Sequence, residues 1–244
     1  RRQRQMCIRD STKTGLPIYP EDTKANILRY SFDNTDADFH AGSLRVDECG
    51  YFSFDLHWPG GVITDCKVGI PGWINVENAI AASAIALTYG IAPEKIKKAL
   101  MTFQGVKRRF DIHVNRPGCS YIDDYAHHPG ELSCLIDAVR TQGYNRVVVA
   151  FQPHTYTRTH ALFEDFIEQL KRVDVCVVAE IYAAREQNLI GISSKDLVER
   201  IPGATYCETL PEVTEFLRQN VREGDIVLPV GAGDIYRAGE ALVK

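Results

Sequence analysis

The residues of this chain best suited to chemistry fall at four places, each directly after an apolar run. Cys119–Asp123 breaks into Asp124-Tyr125-Ala126-His127-His128-Pro129, and Arg146–Phe151 into Gln152-Pro153-His154-Thr155-Tyr156-Thr157-Arg158. Val175–Ile181 breaks into Tyr182-Ala183-Ala184-Arg185-Glu186, and Asp225–Val230 into Gly231-Ala232-Gly233-Asp234. The carboxylates of Asp123 and Asp124 could hold ribose hydroxyls or a hydrated metal. The imidazoles of His127, His128 and His154 could bind or shuttle protons near neutral pH. Arg158 offers a planar fork suited to a carboxylate or a phosphate. Blander roles exist for each. Acidic residues next to Pro129 suit the first turn of a helix, and Arg158 could be a solvated side chain, with Thr157 or Thr159 capping a helix that starts at His160. Capping needs few of the septet's side chains. For Arg158 alone both readings stay open.

Something must hold four such clusters together. The apolar runs are continuous rather than alternating, the pattern of parallel strands covered on both faces. Helices are expected between them at 129–142, 160–172, 193–201, 210–222 and 234–243, so 107–244 reads as a doubly wound α/β domain. In an open parallel sheet, ligands bind outside the carboxyl ends of the strands. All four clusters then converge on one edge.

The upstream part has a different rhythm. Strands are expected at 26–32, 52–58 and 62–68, with a further one between the first two. Phe52-Ser53-Phe54-Asp55-Leu56-His57-Trp58 alternates strictly and so buries one face, and Pro59-Gly60-Gly61 turns the chain. The region is antiparallel in character. A small-residue helix follows to about Tyr89, where Gly90 stops it, and another starts near Pro93. Asn75 and Asn78 share one helical face, where two amides could read an adenine edge or simply cap the helix. Gly105-Val106-Lys107-Arg108-Arg109-Phe110 reads as a hinge, dividing 12–106 from 107–244. Residues 1–11 read as a non-native, adapter-derived segment and are set aside.

Bulk properties narrow the class. The chain has 244 residues, 45% of them apolar, and a net charge of −4, which offers no footprint for non-specific nucleic-acid binding. No apolar stretch approaches a membrane span. The seven cysteines are scattered, and Cys119 and Cys176 sit inside strands as small hydrophobes, so a reduced, cytoplasmic setting is expected. His127, His128 and His154, with Asp124 or Glu180, invite a zinc-hydrolase reading, but neither H-x-x-E-H nor H-E-x-x-H is present. Gly231-Ala232-Gly233-Asp234 is half a dinucleotide fingerprint and reads better as a tight turn that lets backbone approach closely.

In this order, Pro71-Gly72-Trp73-Ile74-Asn75-Val76-Glu77-Asn78-Ala79, Gly105–Phe110, Asp123–Pro129, Phe151–Arg158 and Gly231–Ile235 resemble the Mur ligase family of peptidoglycan synthesis. Within it they resemble the branch that joins L-alanine to UDP-N-acetylmuramate. The resemblance runs from about residue 24 to the end. It implies a Rossmann-like C-terminal domain preceded by the strand-rich end of a central ATP-binding domain. It also implies ATP and Mg2+ as cofactors, an acyl-phosphate intermediate, and no nucleic-acid or membrane partner. It places Asn75 and Asn78 near adenine, Arg108 or Arg109 near the phosphates, Asp123 or Asp124 near the ribose, and His127, His154 and Arg158 around the amino acid and muramyl group. Ile74 and Thr155 depart from the family pattern, which has His and Arg there in many members. The family's G-x-x-x-x-G-K-[ST] loop is missing from these residues, as are its central-domain magnesium ligands. The resemblance therefore implies a chain that begins partway through the central domain and is inactive alone. The alternative is a non-catalytic nucleotide or sugar-phosphate binding module.

Overall fold

The structure is a computed structural model that describes residues 6–9, 27–116 and 119–243, without the side chains of 6–9, 114–119 and 243. The chain divides into two compact units, Arg1–Gln104 and Gly105–Lys244.

In the first unit, strands β1 (Met6–Arg9), β2 (Ile27–Ser31), β3 (Phe39–Val46), β4 (Phe52–Trp58) and β5 (Gly61–Lys67) form one sheet in that order. The pairings β3–β4 and β4–β5 are antiparallel, as expected, but β1–β2 and β2–β3 are parallel. The Ser31 hydroxyl accepts the N–H groups of Asp33 and Asn34 and holds a local turn, and β3 then meets β2 at only Tyr30↔Phe39 and Ser31↔His40. Met6–Arg9, set aside on sequence grounds, pairs with Ile27–Tyr30. The rest of 1–11 lies outside the described residues.

The alternation in β4 buries Phe54 and Leu56 against helix α1 (Trp73–Thr88), whose Val76, Ala79, Ile80 and Ala84 face the same core. Small side chains there let the helix lie close to the sheet. The N-cap of α1 is Gly72 at φ 97°, a conformation that favours glycine. Asn75 is therefore not the cap. It sits inside the first turn and donates its amide to Pro71 O at 2.6 Å. Helix α2 (Pro93–Thr102) buries Ile96 in the same core.

The second unit is a six-stranded sheet with helices on both faces. Its strands are β6 (Asp111–Arg116), β7 (Cys119–Asp123), β8 (Arg146–Phe151), β9 (Val175–Ala179), β10 (Thr205–Cys207) and β11 (Asp225–Val230). The order is β10-β9-β8-β11-β7-β6, all parallel except the edge strand β6. Val147, Val149 and Phe151 of β8 pack toward α3 (Pro129–Arg140), α5 (Phe163–Leu170) and α6 (Ser194–Arg200). Val148 and Ala150 pack toward α7 (Leu210–Asn220) and α8 (Tyr236–Val243). Both faces of the strand are dry, which is why its sequence is apolar without alternation. Cys176 is buried as expected, and burial pushes its thiol up to about 12. The side chain of Cys119 lies outside the described residues.

Three expectations need correction. The helix expected at 160–172 is two: α4 (Tyr156–Ala161) and α5, broken at Leu162, where φ is −116° and ψ 24°. Neither Thr157 nor Thr159 is its N-cap; Thr155 is. Strand β9 ends at Ala179 rather than Ile181, and β6 and β10 were not foreseen. Antiparallel β6 is short, follows Gly105–Phe110 directly and alternates polar and apolar residues, so no continuous apolar run announces it. No helix among the described residues is long and apolar enough to cross a membrane.

Candidate functional site

Strands β7, β8, β9 and β11 run in one direction, so their carboxyl ends lie along one edge, and the four polar clusters meet there. Asp124 N–H donates to Pro229 O and Gly231 N–H to Asp124 O, tying β7 to β11. Tyr182 N–H donates to Pro153 O and Thr155 N–H to Tyr182 O, tying β8 to the loop after β9. Gln152 spans β8 and β11: its Nε2 donates to Asp234 Oδ1 at 3.0 Å, and its Oε1 accepts Asp234 and Ile235 N–H at 2.9 and 3.1 Å. Gly231 and Gly233 are small because of this. A Cβ on Gly231 would lie 2.6 Å from Gln152 O, and one on Gly233 2.8 Å from Tyr182 Cγ while overlapping Gln152 Oε1. The G-x-G pair is a close-packed turn at the site.

His127, His154, Tyr182 and Arg158 form the centre. The rings of His127 and His154 lie 6.1 Å apart, and His154 stacks on Tyr182 at 5.7 Å. His127 Nδ1 lies 3.0 Å from Tyr125 O and 3.4 Å from Glu131 Oε2, two acceptors, so Nδ1 carries a proton. His154 is the reverse. Its Nδ1 faces Arg158 Nη1 at 3.4 Å, and a guanidinium can only donate, so the His154 proton belongs on Nε2. Burial, then the charges of Arg158 and His127, push the His154 pKa down and keep this ring neutral. One edge thus offers an imidazole whose Nε2 is turned away from the Tyr125 and Glu131 contacts, a neutral imidazole with its N–H on Nε2, and a guanidinium. Such a set matches a zwitterion, whose ammonium needs an acceptor and whose carboxylate needs donors.

The two arginines near the start of the second unit differ sharply. Arg108, at φ 61°, is held on every side. Its Nε donates to Asp123 Oδ2 at 3.2 Å and its Nη2 to Gly231 O at 2.7 Å. The rings of Tyr125 and Tyr236 lie 4.9 and 4.6 Å from its guanidinium carbon. Its neighbour Arg109 is exposed, and no hydrogen bond or ion pair engages its side chain among the described residues. Arg108 is therefore occupied, and Arg109 is the arginine open to an anion.

The two aspartates also differ. Asp124 is a backbone clasp, accepting Phe110 N–H at 2.7 Å and Ala126 N–H at 2.8 Å. Burial raises its pKa to about 6 against those bonds. Asp123 pairs with Arg108, yet its Oδ1 is buried and has no hydrogen-bond partner. Burial raises its pKa too, with Arg108 opposing. A buried unpaired carboxylate oxygen is costly, and a ligand hydroxyl would satisfy it. His128 caps α3, its Nδ1 accepting Gly130 N–H at 3.2 Å. Asn75 and Asn78 belong to the first unit, Asn75 half-buried and Asn78 exposed on α1. No three His, Cys, Asp or Glu side chains cluster as a metal site among the described residues.

Sequence reasoning did not single out Tyr125, Tyr182, Gln152 or Glu186 as site residues. Each stands in or beside a polar cluster at a strand end, and that position was the available signal.

Residues 108–233 match the family model described as Mur ligase, glutamate ligase domain. The UDP-N-acetylmuramate–L-alanine ligase of Caldanaerobacter subterraneus subsp. tengcongensis is 38% identical over 223 residues, which is 90% of this chain and 48% of that protein. The enzyme of the same name from Agathobacter rectalis is 41% identical over 222 residues, 89% of this chain and 48% of that one. The crystal structure of UDP-N-acetylmuramate-alanine ligase from Thermotoga maritima is similar with a TM-score of 0.71 and 28% identity, covering 88% of this chain and 47% of that one. A doubly wound unit with a polar carboxyl edge, matched over more than half its chain by that model, belongs to the Mur ligase family. The chain spans about half the length of the curated relatives it matches.

Proposed function

We propose that this chain carries the amino-acid side, and part of the nucleotide side, of a site that joins L-alanine to UDP-N-acetylmuramate at the expense of ATP, a cytoplasmic step of peptidoglycan precursor synthesis. The observation that carries the reading is the opposite setting of the two rings beside Arg158: His127 Nδ1 faces acceptors, Tyr125 O and Glu131, while His154 Nδ1 faces the Arg158 guanidinium. Arg158 and the His154 Nε2–H take the amino acid's carboxylate. The lone pair on His127 Nε2 accepts from its ammonium and receives a proton as the amine becomes nucleophilic. The amine then attacks an acyl-phosphate made from the muramyl carboxylate and ATP, forming the amide bond and releasing phosphate. On the nucleotide side, Arg109 takes the phosphate role and the buried Asp123 Oδ1 accepts a ribose hydroxyl; on the first unit by itself, Asn75 and Asn78 are assigned to an adenine edge. Arg108 and Asp124 hold these groups in place. The described residues do not fit a magnesium site, and no step here runs through one.

The sequence contains no G-x-x-x-x-G-K-[ST] loop, so this chain alone lacks a phosphate cradle. It should show no turnover with ATP, magnesium, UDP-N-acetylmuramate and L-alanine. Joined to the upstream half of the Caldanaerobacter relative, it should release phosphate only when all three substrates are present. A folded chimera that hydrolyses nothing, or that ignores L-alanine, would favour the non-catalytic binding module. Turnover of about 1 per second by the 244-residue chain itself would refute the need for that missing loop.

A further inference from the structure

Glu186 belongs to the third polar cluster, and none of the roles above uses it. It follows β9 in a tight turn, its N–H donating to Ala183 O at 2.9 Å across Ala184, a non-glycine residue at φ 53°. Its carboxylate then reaches a different element. Oε2 accepts Thr157 N–H at 2.9 Å and Oε1 accepts the Thr157 hydroxyl at 2.5 Å. Those groups open α4, whose own N-cap, Thr155, makes no side-chain cap bond and sits at φ 66°. The short helix is thus capped by a carboxylate 29 residues further along the chain. Arg158 is the next residue in α4, and His154 precedes the helix by two positions. Tyr182, which stacks on His154, stands one residue before the Ala183–Glu186 turn. One half-buried glutamate therefore closes a ring through Thr157, Arg158, His154 and Tyr182.

We infer that Glu186 is the positioning residue of this edge: by capping α4 from the β9–α6 loop, it sets where Arg158 stands relative to His154. Its strained neighbours fit that role, since positive φ at Thr155 and Ala184 persists only where surrounding contacts over-determine the backbone. The carboxylate is itself held ionised. The Thr157 hydroxyl and then the Thr157 N–H lower its pKa, and Thr155 and Tyr156 add to this. The functional meaning of the inference rests on the amino-acid reading of Arg158 and His154. Its geometry does not, and the test uses no substrate, so the two can fail separately.

The test is NMR on the 244-residue chain. The charged groups around His154 are Arg158, His127 and Glu186, and of these only Glu186 raises its pKa. In Glu186→Gln the His154 titration midpoint should fall by a few tenths of a pH unit. The Thr157 amide should exchange at least tenfold faster, and the Arg158 side-chain resonance should move. Glu186→Asp separates position from charge, because it keeps the anion but shortens the reach. The inference expects Thr157 protection and the Arg158 signal to be lost in Asp as well, with the melting temperature close to wild type. Wild-type Thr157 exchange and Arg158 signals in Glu186→Asp would overturn it. So would an unchanged His154 midpoint in Glu186→Gln.

Discussion

Arg108 and Arg109 are adjacent in sequence and opposite in circumstance, and the contrast is testable. Arg108 pairs with an aspartate that is only 2% exposed, so Arg108→Ala strands a buried charge. It should destabilise the second unit by about 3 kcal/mol, read as a shift in the denaturant midpoint. Arg109→Ala removes no hydrogen bond or ion pair, only a charge that helps hold the Asp124 pKa down, so it should shift that midpoint far less, while weakening nucleotide binding in the chimera. Equal stability of the two variants would contradict a stabilising Arg108–Asp123 pair. Asp124 gives a second check. Its pKa of about 6 exceeds the unfolded value of 3.8, so the native state holds the proton more tightly. That contribution is fully present below pH 3.8 and is lost as pH rises through about 6. The Asp124 carboxyl carbon should titrate near pH 6 by NMR; a midpoint near 4 would mean water reaches the clasp.

At the scale of elements, the G-x-G turn after β11 holds Gln152 and Tyr182 where they are. Gly233→Ala places a methyl against both, and overpacking of this kind costs about 1–3 kcal/mol. The variant should lose stability by that amount and move the Tyr182 ring resonances, both absent if the turn is loose. This is also where the legibility of the sequence divides. The four strand ends could be read because a buried parallel strand is uniformly apolar and stops abruptly at its polar cluster. The start of α4 could not, because its cap is Glu186, supplied by a later loop, and no local signal marks Tyr156. Nor could β6, a short edge strand whose residues alternate polar and apolar instead of forming the continuous run that marked the buried parallel strands. At the site, residue types were legible and occupancy was not. Arg108 and Arg109 look alike until Tyr125, Tyr236, Asp123 and Gly231 are found around one of them.

For the whole molecule, the account assigns the work unevenly. The second unit closes its own core on both faces of its sheet. Expressed alone, 105–244 should melt cooperatively, whereas 12–104 should not, because it retains an exposed sheet edge without β1. The reverse result would overturn the division. The central claim is that the carboxyl edge of β8 orients the amino acid through Arg158, and kinetics of the chimera test it most directly. Lysine at this position keeps the charge and loses the planar fork. With L-alanine and UDP-N-acetylmuramate varied separately, Arg158→Lys should reduce kcat/KM for L-alanine at least tenfold, about 1.4 kcal/mol, with stability nearly unchanged. A change of less than twofold for both substrates would contradict the claim and leave Arg158 a solvated side chain.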